Sequence, residues 1–295
     1  MPTVAITQDV EFIGQAIFDA LDALDLEDLF TDRLVAIKPN DTAATAQNIS
    51  GVTHADTLQG VIRYVKQYNP RHIVVSGGAG ASQTEEVFRY TGMMEVVQRE
   101  GVEFFDHNHG PLQEITLESG PQRQVMINPR ILEYETVVSL AQLKLHATAT
   151  VTLSMKNIAM SFPAADYYGH PRSTGEIHRN DFFADMQEFI AAMVRRFPPS
   201  LAVIAGHPAM VGTGPLGGIP VETGLAIASR DFVAADAAAA ELFGFDMQAV
   251  RHIFEAYRMG LGEARTEAMI FPRLSLSDAI QIFTRLVYAQ EAVWA

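Results

Sequence analysis

Residues Thr136–Pro163, TVVSLAQLKLHATATVTLSMKNIAMSFP, decide the fold class. Val137 and Val138 adjoin Leu140 with no polar face between them, the composition of a central strand covered on both sides, as in parallel α/β sheets. From Gln142 the pattern changes. Gln142, Lys144, His146, Thr148, Thr150 and Thr152 alternate with Leu143, Leu145, Ala147, Ala149, Val151 and Leu153. In an extended chain Lys144 and His146 therefore leave the same face. The alternation outruns a usual strand, so a break is expected near the threonines. Val151, Met155, Ile158 and Phe162 then recur at helical spacing, with Lys156-Asn157 on the other face of that helix. Two lysines, a histidine and an asparagine meet where a buried strand gives way to a helix, and chemistry is expected there.

Upstream, Val4–Thr7 and Leu34–Ile37 read as strands around an amphipathic helix at Glu11–Leu24. The second strand ends in Lys38-Pro39-Asn40, where Pro39 cannot donate to a ladder. Thr53 is placed to cap a helix through Tyr68, in which Leu58, Val61, Ile62 and Val65 repeat at helical spacing. His72–Val75 is a strand running into Ser76-Gly77-Gly78-Ala79-Gly80-Ala81-Ser82, followed by a helix at Thr84–Gln98. Backbone amides at such a turn suit a phosphate or carboxylate, which makes Gly78 and Gly80 candidate binding positions. A dinucleotide fingerprint fits poorly, because Gln83 stands where its third glycine belongs, and a plain tight turn is the remaining reading.

Val102–Phe105 is a further strand, ending in Asp106-His107-Asn108-His109. Asp106, His107 and His109 have oxygen/nitrogen metal-ligand chemistry, and a divalent metal there would need a remote partner such as His207; a solvated turn is the alternative. Ile115–Glu118 and Gln124–Ile127 look like an antiparallel hairpin added to the sheet. After Pro163, a polar loop carries Tyr167, Tyr168, His170, Arg172, His178 and Arg179, content that suits a lid over an anion. Asp181 is placed to cap a helix through Arg196, Leu201–Ala205 and Ala226–Ser229 read as strands, and Phe232–Phe243 as a helix with Asp231 at its N-cap. The helices expected at Met247–Met259 and Asp278–Val293 carry Met, Phe and Tyr residues that are core or, in a homo-oligomer, interface.

Lys144-Leu145-His146, then Thr152, then Lys156-Asn157, resembles the K-x-H…T…K-N signature of the domain of unknown function 362 family, whose biochemistry is largely unassigned. Lys38-Pro39-Asn40, Thr53-His54, and Gly214-Pro215…Gly224…Ser229-Arg230-Asp231…Ala235-Asp236 agree in order, so the resemblance spans Val35 to Gly262. It implies a family fold and a site containing Lys38, Asn40, Lys144, His146, Lys156, Asn157 and Gly214, with His170 similar to a histidine that often follows the K-N helix. The chain departs from the family at Gly206-His207-Pro208 and before Gly214-Pro215, where relatives commonly carry acids, and it lacks their ferredoxin-like cysteine segment.

With 295 residues, 48% of them hydrophobic, the chain can bury a substantial core. A net charge of −14 argues against nucleic-acid or anionic-membrane partners, since phosphate contacts need clustered Lys and Arg. The absence of cysteine excludes thiolate catalysis and any cysteine-ligated iron–sulfur or zinc centre. No basic leader or run of about 18 apolar residues is visible, so a cytoplasmic protein is expected.

These observations imply a single α/β domain over 1–295: a mixed, mainly parallel sheet with helices on both faces and an antiparallel hairpin, in one body or two lobes. They point to an enzyme acting on a small anionic metabolite, Lys144 and Lys156 holding the anion, His146 moving protons, and Asn157 orienting the substrate with Lys38, Asn40, Gly78, Gly80, His170, Arg172 and Gly214. The alternatives are a metal-binding protein using Asp106, His107, His109 and His207, and a non-catalytic metabolite-binding protein. A structural reading also stands, in which Lys144 and Lys156 neutralise Asp231, Asp236 and helix ends.

Overall fold

The structure, a computed structural model, describes residues 1–172 and 181–289. His178, Arg179 and the last part of the helix expected to reach Val293 lie outside the described residues. The chain passes β1 (Ala5–Gln8), α1 (Ile13–Leu21), α2 (Glu27–Phe30), β2 (Leu34–Pro39), α3 (Ala55–Lys66), β3 (His72–Gly77), α4 (Thr84–Tyr90), α5 (Met93–Glu100), β4 (Glu103–Asp106), β5 (Gln113–Thr116), β6 (Gln124–Ile127), β7 (Thr136–His146), β8 (Thr150–Val151) and α6 (Leu153–Ala159). The second half adds α7 (Ala165–Tyr168), α8 (Met186–Arg196), β9 (Leu201–Val211), β10 (Ile219–Val221), β11 (Leu225–Ser229), α9 (Phe232–Leu242), α10 (Arg251–Arg258) and α11 (Leu276–Tyr288).

One sheet follows the path β1-β11-β9-β7-β2-β3-β4, with β10 added to β9 and β8 to β7. The run from β9 to β4 is parallel, while at one side β11 pairs antiparallel with both β9 and β1. The two-residue period of the pleat sorts the apolar side chains into two cores. Val35, Ile37, Val138, Leu140 and Val203 face α1, α3 and α5; Ala141, Leu143 and Ile204 face α6, α8 and α9. Each such Val, Leu or Ile, fully buried, contributes roughly 1.5–3 kcal/mol. The two cores thus occupy opposite faces of one sheet, with β7, apolar on both, near its middle.

Several local expectations are corrected. The hairpin β5–β6 is a separate two-stranded sheet. The expected helix at Thr84–Gln98 is two helices, broken at Gly92, whose φ of 74° belongs to the left-handed region. Thr53 does not cap α3; its hydroxyl accepts from the Asn40 amide at 2.8 Å and so ties down the loop after β2. Asp185 rather than Asp181 caps α8, accepting from the Glu188 amide. Asp231 is the N-cap of α9, as read.

The break near the threonines is present. β7 ends at His146, the chain reverses, and β8 returns antiparallel with Thr150 opposite His146. Thr150 (φ 67°) and Leu153 (φ 45°) hold left-handed backbone on either side of Thr152. For residues with a Cβ such conformations cost of order 1–3 kcal/mol and persist where surrounding contacts over-determine them. Here the contact is Asp236 of α9, whose carboxylate accepts from the Ser154 amide (2.8 Å), the Ser154 hydroxyl (2.6 Å) and the Met155 amide (2.9 Å). That clamp sets the start of α6.

Candidate active site

A cavity of about 430 Å³ opens at the C-terminal ends of β2, β3 and β7, the edge of a parallel sheet where ligands collect. Asn40, Asp41 and Thr42 follow β2; Gly78, Gly80 and Ala81 follow β3; His146, Thr148 and Thr152 follow β7. Lys156, Asn157, Met160 and Ser161 come from α6 and its end, and Arg172, Phe183, Met186, Pro215 and Leu216 complete the wall. Of the expected binding residues, Asn40, Gly78, Gly80, His146, Lys156, Asn157 and Arg172 are brought together.

Lys156 is 6% exposed and makes no hydrogen bond or ion pair among the described residues. Burial draws its ammonium down to about 8, with no carboxylate among the described residues opposing it. A buried cation without a counter-ion is costly. Lys156 lines the cavity. The structural reading in which Lys156 neutralises Asp236 does not hold, because the Asp236 carboxylate is taken up by Ser154 and Met155 and is pushed by burial up to about 7.

His146 also lines the cavity. Its Nδ1 accepts from the amides of Thr148 and Ala149, both at 3.1 Å. Nδ1 is therefore unprotonated, and the neutral ring carries its proton on Nε2. Burial first, then the adjacent Lys156 and Lys144, hold its pKa down at about 2. Near neutral pH His146 is a fixed N–H donor.

Lys144 is fully buried behind the cavity wall and donates to the Gly51 carbonyl at 2.5 Å. Burial, followed by the field of Lys156, pushes it well below an ordinary lysine. It anchors the loop before α3 and does not line the site. Lys38 is likewise withdrawn, 1% exposed and paired with Asp41 at 2.7 Å. Asp41, missed in the sequence, does line the cavity; its position three residues after Lys38 was the available signal.

The glycine turn is not an open anion cradle. The Gly78 amide donates to Asp41 at 2.7 Å, Ala79 to the Thr84 hydroxyl at 3.2 Å, and Gly80 and Ala81 to the Thr42 carbonyl at 3.1 and 2.9 Å. All four are occupied, so Gly78 and Gly80 serve by lacking a Cβ. One on Gly78 would stand 1.9 Å from His107 Nε2.

Asn157 uses its amide internally, donating to the Lys38 carbonyl (3.0 Å) and the Ser139 hydroxyl (3.1 Å) while accepting from Asn40 (3.2 Å). It positions Asn40 and has no donor left for an oxyanion. Arg172, 2% exposed, donates to the carbonyls of Met160 and Ser161 and to Asn108, closing the wall. His170 lies outside the lining; burial, then Arg172, lower it to about 4. Gly214 is a packing residue, since a Cβ there would meet the Leu145 carbonyl at 1.9 Å.

The four proposed metal ligands are not assembled. His107 is buried, bonding Ser76 through Nδ1 (2.8 Å) and Ser161 through Nε2 (3.0 Å). His109 turns outward to Asp166 at 2.9 Å. The Asp106 carboxylate accepts from the Asn108 amide and lies 3.5 Å from His109. His207 sits elsewhere, between Asp56 and Glu222, each at 2.8 Å, and those carboxylates raise it to about 9. Among the described residues no group of three or more His, Asp or Glu is disposed to hold a metal.

The model of a family described as Domain of unknown function (DUF362) matches residues 35–241. The thylakoid-associated protein sll1697 of Synechocystis sp. is 22% identical over 239 residues, covering 81% of this chain and 71% of that protein. The structure of the lactate racemase apoprotein from Thermoanaerobacterium thermosaccharolyticum superposes with a TM-score of 0.48 at 14% identity. That superposition covers 84% of this chain, which spans only 57% of the other.

Proposed function

This chain belongs to the domain of unknown function 362 family, and we propose that it is an enzyme acting on a small carboxylate- or phosphate-bearing metabolite, with Lys156 as anchor and proton-exchanging group. The observation that carries this reading is Lys156 itself: a buried amine on the cavity wall, without a carboxylate partner among the described residues, drawn by burial to about 8. An anionic group beside it would restore the missing counter-charge. The Nε2–H of His146 adds a neutral donor on the same wall. An acid–base group works best with a pKa near the operating pH, which Lys156 meets and His146, at about 2, does not. The proton role expected of His146 therefore passes to Lys156.

The withdrawal of His146 from proton transfer favours, as a second reading, a protein that binds the metabolite without turning it over. A location in the cytoplasm belongs to the proposal, as does the lack of membrane or nucleic-acid partners, which the net charge of −14 supports. No described helix is long and apolar enough to cross a membrane. Because the Synechocystis relative is described as thylakoid-associated, co-sedimentation with anionic vesicles is the check on that part.

Thermal unfolding tests the anion site. Sulfate or phosphate should raise the melting temperature of the wild type, and Lys156→Met should fold yet lose the response. A wild type indifferent to both anions, or an undiminished response in Lys156→Met, would remove the proposal. Turnover of a stabilising metabolite then separates enzyme from binding protein.

A further inference from the structure

Resting on that anion site, we infer that its ligand is amphipathic: an anionic head held at Lys156, and an apolar body without hydroxyl groups lying against Met160, Phe183, Met186 and Leu216. The change of character begins on α6. Met160 is the C-cap residue one turn beyond Lys156, and its amide closes that turn on the Lys156 carbonyl at 3.0 Å. Residues four apart on a helix are neighbours on one face, and both line the cavity. The wall therefore passes from charged to apolar within a single turn of helix.

Apolar side chains from two other parts of the chain extend that surface. Phe183 and Met186 come from the turn before α8 and its first residue, Pro215 and Leu216 from the segment between β9 and β10. Phe183 and Leu216 are 37% and 38% exposed, so they stand at the rim, within reach of whatever enters. A single exposed hydrophobic side chain needs no explanation, whereas several converging on one cavity do. Methionine, unbranched and polarisable, adapts its shape to an apolar neighbour.

Size and polarity point the same way. A cavity of about 430 Å³ is far larger than one carboxylate or phosphate group fills, and is of the size that encloses a whole organic ligand. A body rich in hydroxyls would need many polar partners, and several on this wall are already bonded within the protein. They are the glycine-turn amides, the Asn157 amide and the Ser161 hydroxyl, which donates to the Gly78 carbonyl at 2.9 Å. An apolar body needs no such partner, and it removes the exposed faces of Phe183 and Leu216 from water. Lys156, with no carboxylate among the described residues opposing its charge, fixes the end at which the anion sits.

Calorimetric titration with two series tests this: acetate, gluconate and hexanoate, then inorganic phosphate, glucose 6-phosphate and hexyl phosphate. In at least one series the compound with the apolar chain should bind wild type about tenfold tighter or more than the other two. In a Phe183→Ser, Leu216→Ser double variant that preference should fall to about twofold, the loss falling on the apolar-chain compound. Equal affinities within both series would overturn the apolar body while leaving the anion site standing. So would a preference for gluconate or glucose 6-phosphate, or a chain preference undiminished in the double variant. Failure of all these compounds and of sulfate to bind would overturn the anion site itself. Capture of phosphatidylglycerol vesicles, with no binding of dissolved hexanoate or hexyl phosphate, would overturn the proposal in favour of a membrane surface. The wild-type comparison does not depend on how well the double variant folds.

Discussion

Lys144 Nζ lies 2.5 Å from the carbonyl oxygen of Gly51. That contact separates two lysines that looked equivalent in the sequence: Lys144 holds the loop before α3, and Lys156 is the amine left for the cavity.

Lys144→Met should therefore leave the anion response intact. The variant loses one hydrogen bond but no longer buries an amine, so its stability should change by only about 1 kcal/mol. Thermal unfolding with and without sulfate checks this. A variant of normal stability that had lost the response would return Lys144 to the site.

The two nitrogens of His146 have separable duties. His146→Asn can keep an acceptor where Nδ1 receives the Thr148 and Ala149 amides but gives up the donor at Nε2; His146→Gln reaches the cavity and leaves those amides unmet. Asparagine should weaken sulfate binding with little loss of stability. Glutamine should bind sulfate more nearly as wild type does but unfold about 1–3 kcal/mol more readily. Melting and titration of both variants would expose the opposite ranking.

The Asp236 carboxylate is the acceptor for three donors at the start of α6 and supports left-handed backbone at Leu153. Asp236→Ala should lose about 3 kcal/mol or more in denaturant unfolding. A loss below about 1 kcal/mol would show that the clamp contributes little.

Much of the fold was legible because it rests on local pattern. The apolar run at Val137–Leu140 marked a strand covered on both faces, the alternation to His146 marked its exit, and the spacing from Val151 marked α6. The grouping of His146, Lys156 and Asn157 followed from those periods. What could not be read depends on which partner each group meets in the folded chain. Whether the glycine-turn amides are open is decided by Asp41, Thr42 and Thr84. Whether Lys144 reaches the ligand is decided by Gly51, and the tautomer of His146 by a turn whose reversal the alternating pattern concealed. The metal-like cluster at Asp106–His109 failed because adjacent residues left the turn in different directions, His107 inward and His109 outward.

The titration of Lys156 has a defined sign. Burial depresses its pKa from 10.5 to about 8. Between those values the unfolded chain binds the proton that the folded protein has released, so the Lys156 contribution to stability without ligand rises with pH across that window. An anion favours the protonated amine, and binding above pH 8 must therefore take up a proton. The direct measurement is calorimetry of sulfate binding at about pH 8.5 in two buffers of different ionisation enthalpy, for wild type and Lys156→Met. The wild type should take up a substantial fraction of a proton per site and the variant none. Sulfate binding without proton uptake, or with the same uptake in Lys156→Met, would contradict the role of Lys156.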